Sequence, residues 1–119
     1  MKCLIDSSKR NNVNPDVLLA IAKVESGFNP SAENINKDGT KDYGMFQINE
    51  INLRWLGLDV EQVINPCTAS YVAGFILKRC INEYGYSWKA VDCYNKGKNA
   101  KENSKYVKNV QKVLKEMGY

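Results

Sequence analysis

Two carboxylates in unlike surroundings stand out in the stretch ESGFNPSAENINKDGTKDYGMFQIN, which runs from Glu25 to Asn49. Glu25 falls in the last turn of a predicted helix, and Asp42 falls in a predicted hairpin whose turn signal is Asp38-Gly39. Cleavage of a glycosidic bond uses such a pair, a neutral acid that protonates the leaving oxygen and an anion that stabilises positive charge or attacks. The spacing therefore indicates glycosidase chemistry.

The two carboxyl groups are expected to differ in pKa. The negative end of the helix dipole disfavours an anion at Glu25, and desolvation by the apolar neighbours Val24 and Phe28 would raise its pKa further. Asp42 lies among polar hairpin residues such as Lys41, where a carboxylate stays ionised. This difference suits general acid catalysis beside an anion, although either residue alone is also typical of an ordinary helix surface or turn.

Other kinds of chemistry have little support in the sequence. The 119 residues include no histidine, which excludes Ser-His-Asp and Cys-His catalysis. There is neither a P-loop nor a dinucleotide-binding fingerprint. The four cysteines form no CxxC pair, which disfavours a zinc site, and we expect no metal and no organic cofactor.

The four cysteines fit two disulfides, which indicate an oxidising compartment. Three pairings are possible. We favour Cys80–Cys93, which would join two consecutive helices, together with Cys3–Cys67, which would fix the N-terminal segment. The alternative is four reduced, buried thiols in a cytoplasmic protein.

Capping signals predict most of the helices. Asn14 as N-cap, Pro15 at the first helical position and Gly27 as the stop define the helix that carries Glu25, and Asn65-Pro66 opens a second one. The predicted inward residues of these two helices are Val17, Leu18, Ile21, Val24 and Phe28, and Tyr71, Phe75, Leu77 and Ile81. The second helix runs to about Tyr84, and the other predicted helices are 3–12 (Leu4 and Ile5 inward), 50–56, 59–64, Ser87 to about Tyr94, and about Ser104 to Met117.

Strand content is expected to be small. Residues 29–41 have loop composition around one hairpin turn, and Tyr43–Ile48 is a short apolar, β-prone run. We therefore predict a single α+β domain over residues 1–119, mostly α, with a small β-hairpin beside the active-site cleft. No apolar run approaches the roughly 18 residues of a membrane span. No signal peptide is visible, so we expect any export signal to have been removed.

The net charge of +4 is unevenly distributed. Residues 96–119 contain seven lysines against two glutamates, a balance of +5, whereas residues 1–95 contain ten basic and eleven acidic side chains. A basic tail can attract nucleic acid, anionic lipid or an anionic wall polymer. A solvated helix face is the simpler interpretation, and nucleic-acid binding has no other support.

Three short motifs resemble those of the lysozyme-like, SLT-type lytic transglycosylases. Glu25-Ser26-Gly27 resembles their ES motif, Gly44-Met45-Phe46-Gln47-Ile48 their G-L-M-Q-I motif, and Tyr94-Asn95-Lys96-Gly97 their A-Y-N-x-G motif. The motifs occur in the family's order, and with the intervening helices the resemblance covers about residues 12–117. The short length, the early cysteine and Asn65-Pro66-Cys67 look most like the specialised peptidoglycan-cleaving enzymes of bacterial secretion and conjugation machines, and most closely resemble the EtgA and IagB type of type III secretion systems.

The chain departs from this resemblance in two places. The segment 38–49 also resembles the hairpin of C-type lysozymes, and the spacing from Glu25 to Asp42 matches that family's two carboxylates, so the site looks like a hybrid. Cys93 stands where the transglycosylase motif usually has alanine. A disulfide there would fix Tyr94 and Asn95 to the preceding long helix.

The resemblance implies a lysozyme-like fold and specific roles for the site residues. Glu25 would protonate the leaving glycosidic oxygen and then act as base toward water or the sugar's 6-hydroxyl, while Asp42 stabilises the oxocarbenium-like transition state or attacks it. The implied substrate-binding residues are Ser26, Tyr43, Gly44, Met45, Gln47, Tyr94, Asn95 and Tyr106.

The implied function is cleavage of the β-1,4 bond between N-acetylmuramic acid and N-acetylglucosamine, by a periplasmic monomer that opens the wall locally for a secretion machine. Hydrolysis and formation of an anhydro product are both open. The resemblance also implies an activating secretion-apparatus partner, such as an inner-rod protein. The alternative is a noncatalytic glycan-binding or scaffold protein on a lysozyme-like frame, although a pure binder has no need of both carboxylates.

Overall fold

Side-chain caps begin most of the helices in the computed structural model, which describes residues 1–119. The elements are α1 (Lys2–Asn11), α2 (Pro15–Ser26), β1 (Glu33–Ile35), β2 (Lys41–Tyr43), β3 (Ile48–Asn49), α3 (Glu50–Leu56), α4 (Val60–Ile64), α5 (Pro66–Tyr84), α6 (Trp88–Lys96) and α7 (Lys105–Glu116). The side chains of Asn14 and Asn65 accept hydrogen bonds from the first turns of α2 and α5. Both helices begin and end at the predicted residues.

The three strands form one antiparallel sheet in the order β1-β2-β3. Asp42 lies on the central strand, opposite Asn34 on one side and Asn49 on the other. The sheet differs from the prediction in two places, because β1 lies within the predicted loop 29–41 and residues 44–47 form a turn instead of continuing a strand. Strands of two or three residues are too short for a period of two to be visible in the sequence.

The long helix α5 organises the core, since it packs against α1, α4 and α6, while α2 packs against α7. The largest fully buried apolar side chains come from α2, the turn of residues 44–47, β3, α4, α5 and α7: Leu18, Ile21, Phe46, Ile48, Val63, Leu77, Val107 and Val110. Burial of these side chains is the main favourable contribution to folding. The lysines of α7 lie on its outer face, as the sequence predicts.

Three apolar residues predicted to face inward are exposed instead. The exposed fraction is 41% for Ile5, 43% for Phe28 and 42% for Phe75. Phe28 follows the left-handed cap Gly27 and has a positive φ of 66°, so it has left the helical stripe. Ile5 follows the buried Leu4, and Phe75 precedes the buried Ile76. Because successive residues of an α-helix point about 100° apart, the neighbour of an inward-facing residue can point toward solvent.

Two disulfides brace the helices, and they confirm the favoured pairing. Cys3–Cys67 joins α1 to the first turn of α5, and Cys80–Cys93 joins α5 to α6. Helices α1 and α5 approach closely at Gly74, where an added Cβ would lie 2.1 Å from the hydroxyl oxygen of Ser7. No helix is both long enough and apolar enough to cross a membrane.

Candidate active site

A cleft of about 690 Å³ is bounded by the sheet, α3, α5, α6 and the end of α2. Five of the predicted site residues line it, and they come from three separate stretches of the chain: Glu25, Asp42, Gln47, Tyr94 and Asn95. Both cysteines of the Cys80–Cys93 disulfide also line the cleft. The structure thus brings the two carboxylates and the Tyr94-Asn95 pair to one cavity.

Glu25 lies at the C-terminal end of α2, and burial raises the pKa of its carboxyl to about 7. The hydroxyl of Tyr106 on α7 donates a hydrogen bond to Oε2 at 2.8 Å, which lowers the pKa, as does the side chain of Asn95. The negative charge of Asp42 raises it. The carboxyl is therefore substantially protonated near neutral pH, as general acid catalysis requires.

Asp42 is held by neutral donors on the sheet. Its Oδ1 accepts hydrogen bonds from the amide Nδ2 of Asn36 at 3.1 Å and of Asn49 at 2.9 Å. Since both donors bind the same oxygen and no protein group donates to Oδ2, that second oxygen is available to a ligand in the cleft. The amide of Asn49 also donates to the hydroxyl of Thr40, so one hydrogen-bond network fixes the position of the carboxylate.

Ser26 connects the end of α2 to the turn of residues 44–47. Its hydroxyl donates to the carbonyl oxygen of Met45 at 2.7 Å and accepts from the backbone N–H of Asn29 at 3.0 Å. Neither Ser26 nor Met45 lines the cleft, and the same holds for the predicted residues Tyr43 and Gly44. These four residues lie behind the cleft wall, where they shape the turn.

The turn of residues 44–47 is held from several directions. Gly44 has a φ of +84°, and a Cβ there would lie 3.0 Å from the carbonyl oxygen of Val63, so glycine suits both the conformation and the packing. The hydroxyl of Tyr94 donates to the carbonyl oxygen of Phe46 at 2.9 Å. Gln47 is buried with a φ of +54°, and its side chain accepts from the Asn34 amide at 2.7 Å.

Asp92 is a supporting residue that sequence reasoning missed. It is fully buried on α6, where it accepts hydrogen bonds from the Ser104 hydroxyl at 2.6 Å and from the backbone N–H of Lys101 at 2.7 Å. Burial pushes its pKa up, but these hydrogen bonds and the Lys96 ammonium at 3.4 Å outweigh it and hold the pKa below the usual value. Asp92 thereby fixes the segment that follows α6, of which Gly97 and Lys98 line the cleft.

The other residues that line the cleft were not predicted either. Most of them are polar: Asn36, Asp38, Thr40, Asn49, Asn52, Arg79, Glu83, Lys96 and Lys98. Asn49 could have been identified from the hairpin register, because residues paired across a ladder lie side by side on one face. No group of three or more acidic, histidine or cysteine side chains is placed to hold a metal ion. The cleft therefore offers carboxylates, amides and cations for binding a polar polymer.

Comparison with known proteins decides the family, because residues 2–116 match the Transglycosylase SLT domain family. The chain belongs to this family. It is 40% identical to Protein IpgF of Shigella flexneri in an alignment of 115 residues that covers 91% of this chain and 76% of that protein. It is 36% identical to Invasion protein IagB of Salmonella typhimurium in an alignment of 105 residues that covers 85% of this chain and 66% of that protein.

The solved structures include a similar SLT fold. The chain superimposes with a TM-score of 0.71 on an inactive mutant of the lytic transglycosylase Slt from Pseudomonas aeruginosa, at 18% identity over 95% of this chain and 22% of that one. This likeness confirms the predicted lysozyme-like, mostly helical fold. Membership of the SLT family confirms the predicted class of activity, a glycosidase that acts on peptidoglycan.

Proposed function

We propose that this SLT-family chain cleaves the β-1,4 bond between N-acetylmuramic acid and N-acetylglucosamine with Glu25 as its acid and base. The observation that supports this most directly is the state of Glu25, a carboxyl on the cleft whose pKa burial raises to about 7. A carboxyl group fully exposed to water would be ionised near neutral pH and could not protonate a leaving group there.

In the first step, Glu25 transfers its proton to the glycosidic oxygen as the bond from that oxygen to C1 breaks. Because Tyr106 donates to Oε2, we assign the acid proton to Oε1. The sugar at C1 then carries oxocarbenium character, and the Asp42 carboxylate stabilises that positive charge. The hydroxyl of Tyr106 keeps the newly formed Glu25 anion hydrogen-bonded.

In the second step, the Glu25 carboxylate removes a proton from the nucleophile that bonds to C1. Attack by water gives a reducing end, and attack by the sugar's own 6-hydroxyl gives a 1,6-anhydro end, which is one water lighter. Membership of the transglycosylase family favours the anhydro product, whereas the two hydrogen-bonded amides that hold Asp42 in place favour a lysozyme-like contribution from that residue.

The remaining predicted residues support the site in two ways. Asn95 lines the cleft beside Glu25 and orients the substrate or the acid itself. Gln47 and Tyr94 line the cleft, but their polar atoms form hydrogen bonds within the protein, so they shape the wall of the cleft. Four residues behind that wall support its shape in the same way: Ser26, Tyr43, Gly44 and Met45.

The cellular setting is proposed from the disulfides and the relatives. Two disulfides fit an oxidising, extracytoplasmic compartment, and we place the chain in the periplasm, where peptidoglycan is accessible. The relatives IpgF and IagB, the second of which is named an invasion protein, support a role in opening the wall for a secretion machine. A component of that machine, such as an inner-rod protein, would then activate the enzyme locally.

Mass spectrometry of the soluble fragments released from purified peptidoglycan tests the proposal. We expect fragments from the natural chain, none from Glu25→Gln, and normal yield from Glu61→Gln, which alters an exposed glutamate on α4. Anhydro ends would identify the 6-hydroxyl as nucleophile, and reducing ends would identify water. Equal release by Glu25→Gln would contradict the proposal, and binding without any release would favour the noncatalytic alternative.

A further inference from the structure

An exposed tryptophan lies at the edge of the proposed glycan cleft. Trp55, on α3, is 78% exposed, more than any other large hydrophobic side chain of the protein. Ile51, one turn earlier on the same helix, is 51% exposed and lines the cleft, as does its neighbour Asn52. Single exposed apolar residues are common on protein surfaces, so the case for a site at Trp55 depends on its position beside the cleft and on the residue that covers one face of its ring.

Arg79 connects Trp55 to the cleft. Its guanidinium lies over the indole ring, 5.6 Å from the ring centroid, and the residue itself lines the cleft. One face of the indole is thus covered by a cation, and the high exposure of the side chain leaves the other face open to a ligand. Stacking also restricts the rotamers of both side chains, so less entropy is lost when a ligand binds them.

Arg79 has no anionic partner within the protein. It takes part in none of the five ion pairs and in no side-chain hydrogen bond, whereas Arg54 on α3 and Lys96 in the cleft are both paired with carboxylates. A guanidinium carries five N–H donors in a planar arrangement that matches a carboxylate. Its donors are therefore free to bind an anionic group presented from the cleft.

From these observations we propose that Trp55 and Arg79 form a sugar subsite beyond the catalytic pair, specific for an N-acetylmuramic acid unit of the bound strand. The open face of the indole stacks on the sugar ring, and Arg79 binds a carboxylate carried on the lactyl ether of that sugar. The carboxylate is either the lactyl group itself or part of the peptide attached to it. This subsite rests on the proposed function, since it extends the same cleft.

Continuity with the cleft favours a glycan over a protein as the occupant. Ile51, Asn52 and Arg79 belong both to the lining of the cleft and to the surroundings of Trp55, so a polymer that passes Asp42 can continue onto the indole. A protein partner would have to cover the indole without blocking the strand. Pairing an aromatic face with a cation that has no anionic partner also fits one acidic sugar better than an extended protein surface.

Tryptophan fluorescence gives a direct readout, because the chain contains two tryptophans, Trp55 and Trp88. In the variant Glu25→Gln/Trp88→Phe, Trp55 is the sole tryptophan and the strand should not be cleaved. We expect its emission to change on titration with long oligosaccharides of peptidoglycan and not with a disaccharide. Thermal unfolding of this variant checks that the replacement on α6 leaves the fold intact.

Three probes of equal sugar number separate the sources of binding: neutral chito-oligosaccharide, peptide-free glycan with lactyl carboxylates, and glycan with peptides. Isothermal titration on the Glu25→Gln background should show Trp55→Ala weakening all three about tenfold, the effect of losing a well-placed aromatic contact. Arg79→Gln should weaken the acidic probes clearly more than the neutral one, which loses only the ordering that the stacked guanidinium gives to Trp55, and whether the extra loss appears with the peptide-free glycan or only with peptides identifies the carboxylate. Lys78→Gln, which removes a cation stacked on Tyr86 from the same helix, is the matched control.

Unchanged affinity of Trp55→Ala for all three probes would overturn the subsite, and the indole would then be available to a protein partner. An equal loss for the neutral and acidic probes in Arg79→Gln would overturn the assignment of Arg79 to a carboxylate. Neither result touches the proposed function, which fails if the natural chain releases no fragments from peptidoglycan or if Glu25→Gln releases as many. The two failures are therefore distinguishable.

Discussion

The burial of Glu25 has opposite consequences for catalysis and for stability. Its pKa is about 7 in the folded chain against the usual 4.5, so between these pH values the folded chain holds a proton that the unfolded chain has lost. Stability must therefore fall as pH rises through this window. We expect Glu25→Gln to be more stable than the natural chain at pH 8, by up to about 3 kcal/mol, since each pKa unit corresponds to about 1.4 kcal/mol.

Urea unfolding at pH 8 and at pH 4 measures this effect. The stabilisation should be large at pH 8 and should nearly vanish at pH 4, where Glu25 is protonated in both states. Glu61→Gln, an exposed helix position, should give no such pH dependence. A stability change in Glu25→Gln that is the same at pH 8 and at pH 4 would contradict the assignment of a raised pKa.

Tyr106 tunes the acid through its hydrogen bond to Oε2. Because the donor stabilises the carboxylate form, it lowers the Glu25 pKa, and Tyr106→Phe should raise that pKa above about 7. The alkaline limb of the pH profile of kcat/KM should then move to higher pH. Tyr71→Phe, which removes a hydroxyl bonded to Asp6 on α1, serves as the matched control. A limb that stays in place or moves to lower pH would show that the hydrogen bond does not act on the catalytic proton.

Asp42 is expected to contribute through its charge. Asp42→Asn keeps the shape of the side chain and removes the anion, so kcat should fall by about 100-fold if the carboxylate stabilises the transition state. Asp59→Asn, which keeps a competent N-cap on α4, controls for the loss of one negative charge. An unchanged kcat in Asp42→Asn would restrict Asp42 to a structural role in the sheet.

At the scale of elements, local rules predicted the helices and missed most of the sheet. Asn14 and Asn65 cap α2 and α5 as expected, because capping depends on residues within one turn of each other. The strand β1 was missed because its three residues are all exposed and pair with a segment six to ten positions away. The same limit applies to the site: Glu25 and Asp42 were identified from their spacing, whereas Asp92 depends on Ser104 across two elements, which no local pattern reveals.

The two disulfides allow stability and site geometry to be separated. Cys3–Cys67 closes 64 residues and Cys80–Cys93 closes 13, so their removal should cost about 4 and about 3 kcal/mol of unfolding free energy. Only Cys80–Cys93 lines the cleft and joins the α6 residues Tyr94 and Asn95 to α5. We therefore expect Cys80→Ala/Cys93→Ala to lose more activity at a temperature where both variants are folded, although it loses less stability.

Chemical denaturation and fragment release, measured on both double variants under the same conditions, test this ordering. Circular dichroism would first establish a temperature at which each is folded. A larger loss of activity in Cys3→Ala/Cys67→Ala, at equal folded fraction, would show that the braced position of α6 does not matter for the site.

At the scale of the whole molecule, the site exists only because distant segments meet. Glu25 and Tyr106 lie 81 residues apart, and Phe46 and Tyr94 lie 48 apart, yet each pair shares a hydrogen bond. Helices α5 and α6, cross-linked to each other, thus hold one side of the cleft against the sheet and the turn on the other. The shape of the cleft therefore depends on how the core is packed. Variants that loosen the core should impair activity before they unfold the chain.

The uneven charge of the molecule gives a prediction about its substrate. The lysines of α7 are exposed and contribute most of the +5 balance of residues 96–119, while peptidoglycan carries peptide carboxylates. The rate on intact peptidoglycan should therefore fall as salt rises from about 20 to 200 mM, since screening shortens the range of attraction to about 10 Å or less. The rate on a short, neutral chito-oligosaccharide should change little.

Replacing four exposed lysines of α7 by glutamine, at positions Lys105, Lys108, Lys112 and Lys115, should remove much of this salt dependence and lower the rate on intact peptidoglycan at low salt. These positions lie away from the buried stripe of α7, so unfolding should be affected little. Cleavage of a short soluble strand provides the control, because it depends on the cleft and much less on long-range attraction. If the quadruple variant keeps the full salt dependence, the charge of α7 belongs to a solvated helix face, and the cations that line the cleft, Arg79, Lys96 and Lys98, must account for the attraction.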